Sequence, residues 1–177
     1  MGFETEVQEG KRLGLRLLGP PEASLDGLPV RFGTKKELAL LCYLAAEGGR
    51  HPRRGLAELL WPQSEKRHAR ADLRAVLYKL RKTFGDDGAH DRVASFFVIE
   101  GDLLGLEQRG MGLDLEALEA AVSLARRETL LAGGGSSAIT VGRRELMGRL
   151  QGSLALYRGE FMEGFSLEDA PEFELWL

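Results

Sequence analysis

EKRHARADLRAVLYKLRKTFG, residues 65–85, gathers seven lysines and arginines and one histidine inside a chain whose formal net charge is −3. Wound as a helix at about 100° per residue, it separates into faces. Ala69, Leu73, Val76, Leu77, Leu80 and Phe84 share one arc, which must pack inward. Arg67, Arg70, Arg74, Tyr78 and Arg81 form a second stripe, and Ala71, Ala75, Lys79 and Lys82 complete the outward surface with Asp72. A solvated surface helix would offset its cations with acids three or four positions away. Here Glu65 and Asp72 are the only carboxylates in the segment, so at most two cations find a partner within it. The rest repel one another unless an external anion is present. DNA, with about one charge per 1.7 Å of axis, is the natural one. The two alanines between long cationic arms suit a helix entering a major groove about 12 Å wide, with alanine's helix propensity as the alternative explanation.

The charge is local. Residues 1–49 hold 6 basic and 7 acidic side chains, residues 50–82 hold 10 and 3, and residues 83–177 hold 8 and 17. A basic centre flanked by acidic sequence can attract a polyanion that the whole-chain charge would not suggest.

Upstream, residues 1–12 are polar and aperiodic and read as a disordered N-terminus. LGLRLLG (13–19), PEASLDG (21–27) and LPVRFG (28–33) read as short strands separated by Gly19-Pro20-Pro21 and the hairpin signal Asp26-Gly27. Thr34-Lys35-Lys36-Glu37 matches a capping box, so a helix starts there, with Leu38, Leu41, Cys42 and Ala45 inward and Gly48-Gly49 ending it. A shorter helix runs through GLAELLW (55–61) and stops at Trp61-Pro62. Downstream of the basic helix, VASFFVIE (93–100) and LLGLE (103–107) form a hairpin across Gly101-Asp102. A small antiparallel sheet, three helices and a C-terminal hairpin are the parts of an α+β winged helix-turn-helix, in which the third helix reads DNA. From residue 113 the pattern turns helical. LDLEALEAAVSLARRETLLA (113–132) and GRRELMGRLQGSLALYRG (142–159) flank the connector Gly133-Gly134-Gly135-Ser136-Ser137, the second helix placing Leu146, Leu150, Leu154 and Tyr157 on one face. EDAPEFELWL closes the chain as a further helical segment. Phe161, Phe165 and Trp176 are expected in a core.

With these parts in place, RLLGPPEASLDGLPVRFGTKKELALLCYLA (16–45), GLAELLWP (55–62), ARADLRAVLYKLRKTFG (69–85), LDLEALEAAV (113–122) and SLALYRGEFMEGF (153–165) together resemble the N-terminal half of the SARP family of bacterial transcriptional activators. The resemblance runs from residue 13 to 177. It implies an OmpR-type winged-helix DNA-binding domain at 13–110, followed by an incomplete all-α, TPR-like bacterial transcriptional activation domain at 111–177. It implies sequence-specific binding of double-stranded promoter DNA, at direct repeats by a homodimer or by head-to-tail protomers, and recruitment of RNA polymerase. Arg70, Arg74, Tyr78, Lys79 and Arg81 fall at its recognition positions and Arg67 and Lys82 at phosphate contacts, while Trp61–Lys66 corresponds to the loop that faces the polymerase in OmpR-type regulators. The family's second helix usually begins with a hydroxyl cap. Here Pro52-Arg53-Arg54 stands instead, making Arg53 a candidate backbone contact. The hairpin tip Glu100-Gly101-Asp102 bears carboxylates that a minor groove repels, leaving Arg92 as the nearby cation.

Other classes find little support. His51, His68 and His90 lack metal-site spacing, and no HExxH, GxSxG or Walker pattern occurs, so neither catalysis nor a cofactor is expected. Cys42 is the single cysteine, which excludes an internal disulfide and a cysteine zinc site. The N-terminus has no apolar secretion segment and no run is long enough to span a membrane, so the expected location is the cytoplasm, and the resemblance implies the bacterial nucleoid within it. The rival to DNA binding is an interaction module whose basic helix meets an acidic protein partner.

Overall fold

The structure is a computed structural model that describes residues 12–85, 96–107, 110–131, 148, 151–152 and 154–177. Strands β1 (Leu13–Arg16), β2 (Glu22–Leu25) and β3 (Leu28–Pro29) form an antiparallel meander. Its tight turn is Asp26-Gly27, with φ of 52° and 81°. Positive φ at both central residues matches the strand twist and suits glycine, which carries no Cβ. Leu13, Leu15 and Leu17 face inward while Gly14 and Arg16 face out, the period-two alternation of a sheet with one covered face.

Helix α1 (Lys35–Glu47) starts as its capping box requires. Thr34 Oγ1 accepts from the Glu37 amide at 3.4 Å, and the Glu37 carboxylate accepts from Thr34 Oγ1 at 3.1 Å and from the Gly33 amide at 3.0 Å, one residue before the cap. Cys42 is fully buried on this helix. Burial, with a smaller contribution from the Asp114 charge, pushes its thiol well above the ordinary range, so it stays protonated.

Strand β4 (Arg50–Pro52) follows and pairs with β6 (Leu103–Leu106), which in turn pairs with β5 (Phe97–Glu100). The expected hairpin is therefore the outer part of a three-stranded sheet of order β4-β6-β5. Residues 93–95 of its first expected strand lie outside the described residues. Helices α2 (Arg53–Leu60) and α3 (Lys66–Thr83) lie between β4 and β5 in the chain.

Strand β7 (Met111–Leu113) adds to the first sheet beside β1, in parallel, giving the order β3-β2-β1-β7. The N-terminal sheet is thus mixed rather than purely antiparallel, because the chain returns to its open edge after the wing. Helix α4 (Asp114–Leu131) leaves directly from that strand, and Asp114, buried at its first position, accepts from the Leu17 and Leu18 amides at 2.8 and 2.9 Å. These are the amides past the end of β1, which would otherwise be buried without partners.

The connector 133–137 lies outside the described residues, as does most of the second expected helix, including Leu146 and Leu150. Leu154 and Tyr157, expected together on one apolar face of it, are exposed. The chain turns at Ala155–Leu156, so helical spacing no longer governs Tyr157, and the core takes its C-terminal members from Met162, Leu167, Ala170 and Phe173 instead. Those four join the same core as Leu13, Leu41 and Leu73. The short closing helix α5 (Pro171–Trp176) lays Trp176 5.0 Å from the Tyr43 ring and 5.1 Å from Phe173, and the indole donates to Glu47 at 2.6 Å. Phe161, Phe165 and Trp176 are partly buried against this core.

Candidate nucleic-acid interface

Helix α3 is held by its apolar arc. Ala69, Leu73, Val76, Leu77 and Leu80 are buried, and Phe84, which caps the helix, packs edge-on against Phe96 at 5.5 Å and lies 6.1 Å from Phe97 of β5. Gly85 follows in the left-handed region (φ 72°) and its amide returns to the Lys82 carbonyl at 3.0 Å, closing the helix.

The turn that sets the angle between α2 and α3 is braced from outside. Trp61 ends α2, its amide donating to Ala57 at 2.9 Å, and the Ser64 amide returns to the Trp61 carbonyl at 3.1 Å. Lys36 of α1 donates to the Leu60 carbonyl at the end of α2, pairs with Asp169 at 2.8 Å, and stands 5.7 Å from the Trp61 ring centroid, within cation–π range. One lysine therefore ties α1, the turn and the C-terminal segment together.

The outward face of α3 carries Arg67, Arg70, Arg74, Tyr78, Lys79 and Lys82, all exposed, with exposed Ala71 and Ala75 between them. Tyr78 keeps 69% of its surface. Arg81 is half-buried, so it belongs to the margin of the face. Glu65 approaches His68 at 3.8 Å, and Lys79 reaches the buried Glu37 carboxylate at 3.7 Å. Arg67, Arg74 and Lys82 have no carboxylate at ion-pair distance among the described residues. Glu58 of α2 faces the start of the stripe, its carboxyl held below the ordinary range first by the Arg54 hydrogen bond and then by the charges of Arg54, Lys66 and Arg70.

The wing is organised differently. Arg53, at the start of α2, is half-buried, with its backbone amide donating to the Asp102 carbonyl at 2.8 Å. The wing turn thereby supplies the cap that Pro52 cannot provide. Glu100 is ion-paired with Arg50 across the sheet. Arg92 lies outside the described residues. The sequence carries no local sign of the Lys36 brace, the Asp114 clamp or the Glu37–Lys79 contact, because each joins residues distant in the chain.

His51 contacts the Gly48 carbonyl at 2.7 Å and packs edge-on to Tyr43, and His68 is exposed, while His90 is outside the described residues. No group of three metal-ligating side chains occurs among the described residues, and no described helix is long and apolar enough to cross a membrane.

Taken together, an exposed cationic third helix on an apolar anchor, a three-helix unit and a paired wing define a winged helix-turn-helix, here joined to further helices. No family model matches the chain. In sequence it is similar to the transcriptional regulatory protein EmbR of Mycobacterium bovis and of Mycobacterium tuberculosis, 37% identical over 84 residues, which is 47% of this chain and 22% of each relative. In structure it is similar to Mycobacterium tuberculosis EmbR in complex with a low-affinity phosphopeptide, with a TM-score of 0.67 and 25% identity, over 94% of this chain and 41% of that one. Both likenesses are to EmbR, a transcriptional regulatory protein, and extend over only part of that protein. These relatives are transcriptional regulatory proteins, a class of non-enzymes. The chain matches about a fifth of the length of the curated relatives.

Proposed function

We propose that the chain is the DNA-binding part of a transcriptional activator that reads double-stranded promoter DNA with α3 in the major groove. The observation that carries this is the outward face of α3, where Arg67, Arg74 and Lys82 are exposed and without carboxylate partners among the described residues, around the small side chains of Ala71 and Ala75. Long cations flanking a slim centre fit phosphate rails on either side of base edges. On this reading Arg70, Arg74 and Tyr78 face bases, Arg67 and Lys82 face phosphates, and Arg81 contributes from the margin. Lys79 contributes after letting go of Glu37. Residues 13–110 form the DNA-binding domain and 111–177 begin a TPR-like activation domain. Protomers sit head-to-tail on direct repeats, and the loop from Trp61 to Lys66 meets RNA polymerase.

Selection of bound sequences from a random duplex pool tests the proposal, followed by a salt titration on the selected site. A sequence reader returns an enriched motif, at two spaced copies if direct repeats are used, and keeps its preference as affinity falls with salt. Enrichment of no motif at any salt would overturn specific recognition and favour an acidic protein partner for the basic helix.

A further inference from the structure

Away from α3, the outward face of the first sheet and the chain leading into α1 enclose a groove of about 840 Å³. That volume lies in the range of small-molecule sites, roughly 300–1,000 Å³. Its lining is mixed, and the apolar part is Val30, Phe32 and Leu38 on the α1 side and Phe165 from the C-terminal segment, all half-buried and so neither committed to the core nor fully wet. Gly14 and Ser24 lie side by side in its floor, and a Cβ at residue 14 would stand 2.5 Å from Ser24 Oγ, so the two pack without room for a side chain there.

The rim is cationic. Arg31 is exposed with no acidic partner among the described residues, and Lys35 is placed at the Phe165 end by donating to the Ser166 carbonyl at 3.2 Å, which leaves its remaining N–H groups available. Glu22, the carboxylate lining this groove among the described residues, is shared between Arg16 at 3.7 Å and Arg158 at 3.0 Å. Its charge is therefore more than matched, and the mouth stays positive.

We propose that this groove binds a small amphipathic anion, an apolar ring or chain body bearing one carboxylate, sulfonate or phosphate. The body lies against Phe32 and Phe165, and the anionic group lies between Arg31 and Lys35. The site is independent of the DNA-binding reading, since none of its residues belongs to α3.

Fluorescence titration of the full chain with 1-anilinonaphthalene-8-sulfonate tests it, with the uncharged N-phenyl-1-naphthylamine as the matched probe. Saturable binding at one site is expected, weaker by roughly tenfold or more for the uncharged probe and for the Arg31→Glu, Lys35→Glu double variant. The Arg31→Lys, Lys35→Arg variant should keep wild-type affinity. Equal binding of both probes to the wild type, unchanged sulfonate affinity in the charge-reversed variant, or binding that never saturates would each overturn the proposal.

Discussion

Helix α3 and the wing sit side by side in the fold and treat their charges in opposite ways. On the wing, Glu100 is paired with Arg50 and the Asp102 carbonyl caps α2. On α3, Arg67, Arg74 and Lys82 point outward with no carboxylate at ion-pair distance among the described residues. Both regions are rich in polar groups, but among the described residues only α3 leaves a positive field to act outside the molecule. The wing spends its groups on holding itself to β4 and to the start of α2. The contrast teaches that a charge count locates an interface only after internal partners are subtracted.

The contrast depends first on α3 being rigidly seated, so the largest effect is expected from its inner face. Leu80 is fully buried in the C-terminal half of the anchor. Leu80→Ala should cost about 2–5 kcal/mol of unfolding free energy, read by urea titration. A loss below about 1 kcal/mol would mean that the site collapses easily and that α3 is not held as described.

The next effect tests how the helical part is joined to the sheet. Asp114 receives the Leu17 and Leu18 amides while buried, and removing it strands both donors. Asp114→Ala should cost about 1.5–3 kcal/mol, the range for hydrogen bonds to a charged group. Asp72→Ala, at an exposed position on α3, should stay within about 0.5 kcal/mol. Equal effects at the two carboxylates would show that burial of Asp114 does not decide its role.

The six inward positions of α3 and its cap follow from a 3.6-residue period that runs uninterrupted for about four turns, and all six are buried. The Thr34 cap and the Asp26-Gly27 turn follow from local chemistry that needs no distant partner. By contrast β4 and β7 are three residues each, too short to show alternation, and they exist because β6 and β1 offer edges to pair with. Lys36 and Asp169 are 133 positions apart, and nothing local marks either as a partner of the other. For the candidate interface, residue type and period indicated exposure at Arg67, Arg70, Arg74, Tyr78 and Lys82. They did not indicate that Glu37 would reach Lys79 or that Arg81 would be half-buried.

Within α3 the comparison sharpens to base reading against phosphate contact. Arg74 lies at the centre of the outward face and Lys82 at its C-terminal end. Arg74→Ala should weaken the selected site by about 1–3 kcal/mol while changing random duplex much less. Lys82→Ala should weaken both by a similar factor and lower the salt slope by about one. Equal losses on both duplexes for Arg74→Ala, measured by fluorescence anisotropy, would move it to the phosphate class.

The smallest effect is expected on the wing, where a null result is informative. Glu100 and Arg50 are both about half exposed, so their pair contributes at most about 1 kcal/mol to stability and is screened by salt. Glu100→Gln removes the carboxylate from the hairpin tip and leaves Arg50 uncompensated. If the wing stays clear of DNA, duplex affinity should change by no more than roughly twofold and the salt slope should hold, because the released charge meets only water. If the wing enters a minor groove, the same change removes a repulsion and adds a cation. Affinity would then rise and the slope would steepen by about one, the signature of one further phosphate neutralised. A steeper slope in Glu100→Gln would therefore end the division of labour between α3 and the wing, since Arg50 would then act as a DNA contact that Glu100 holds in check.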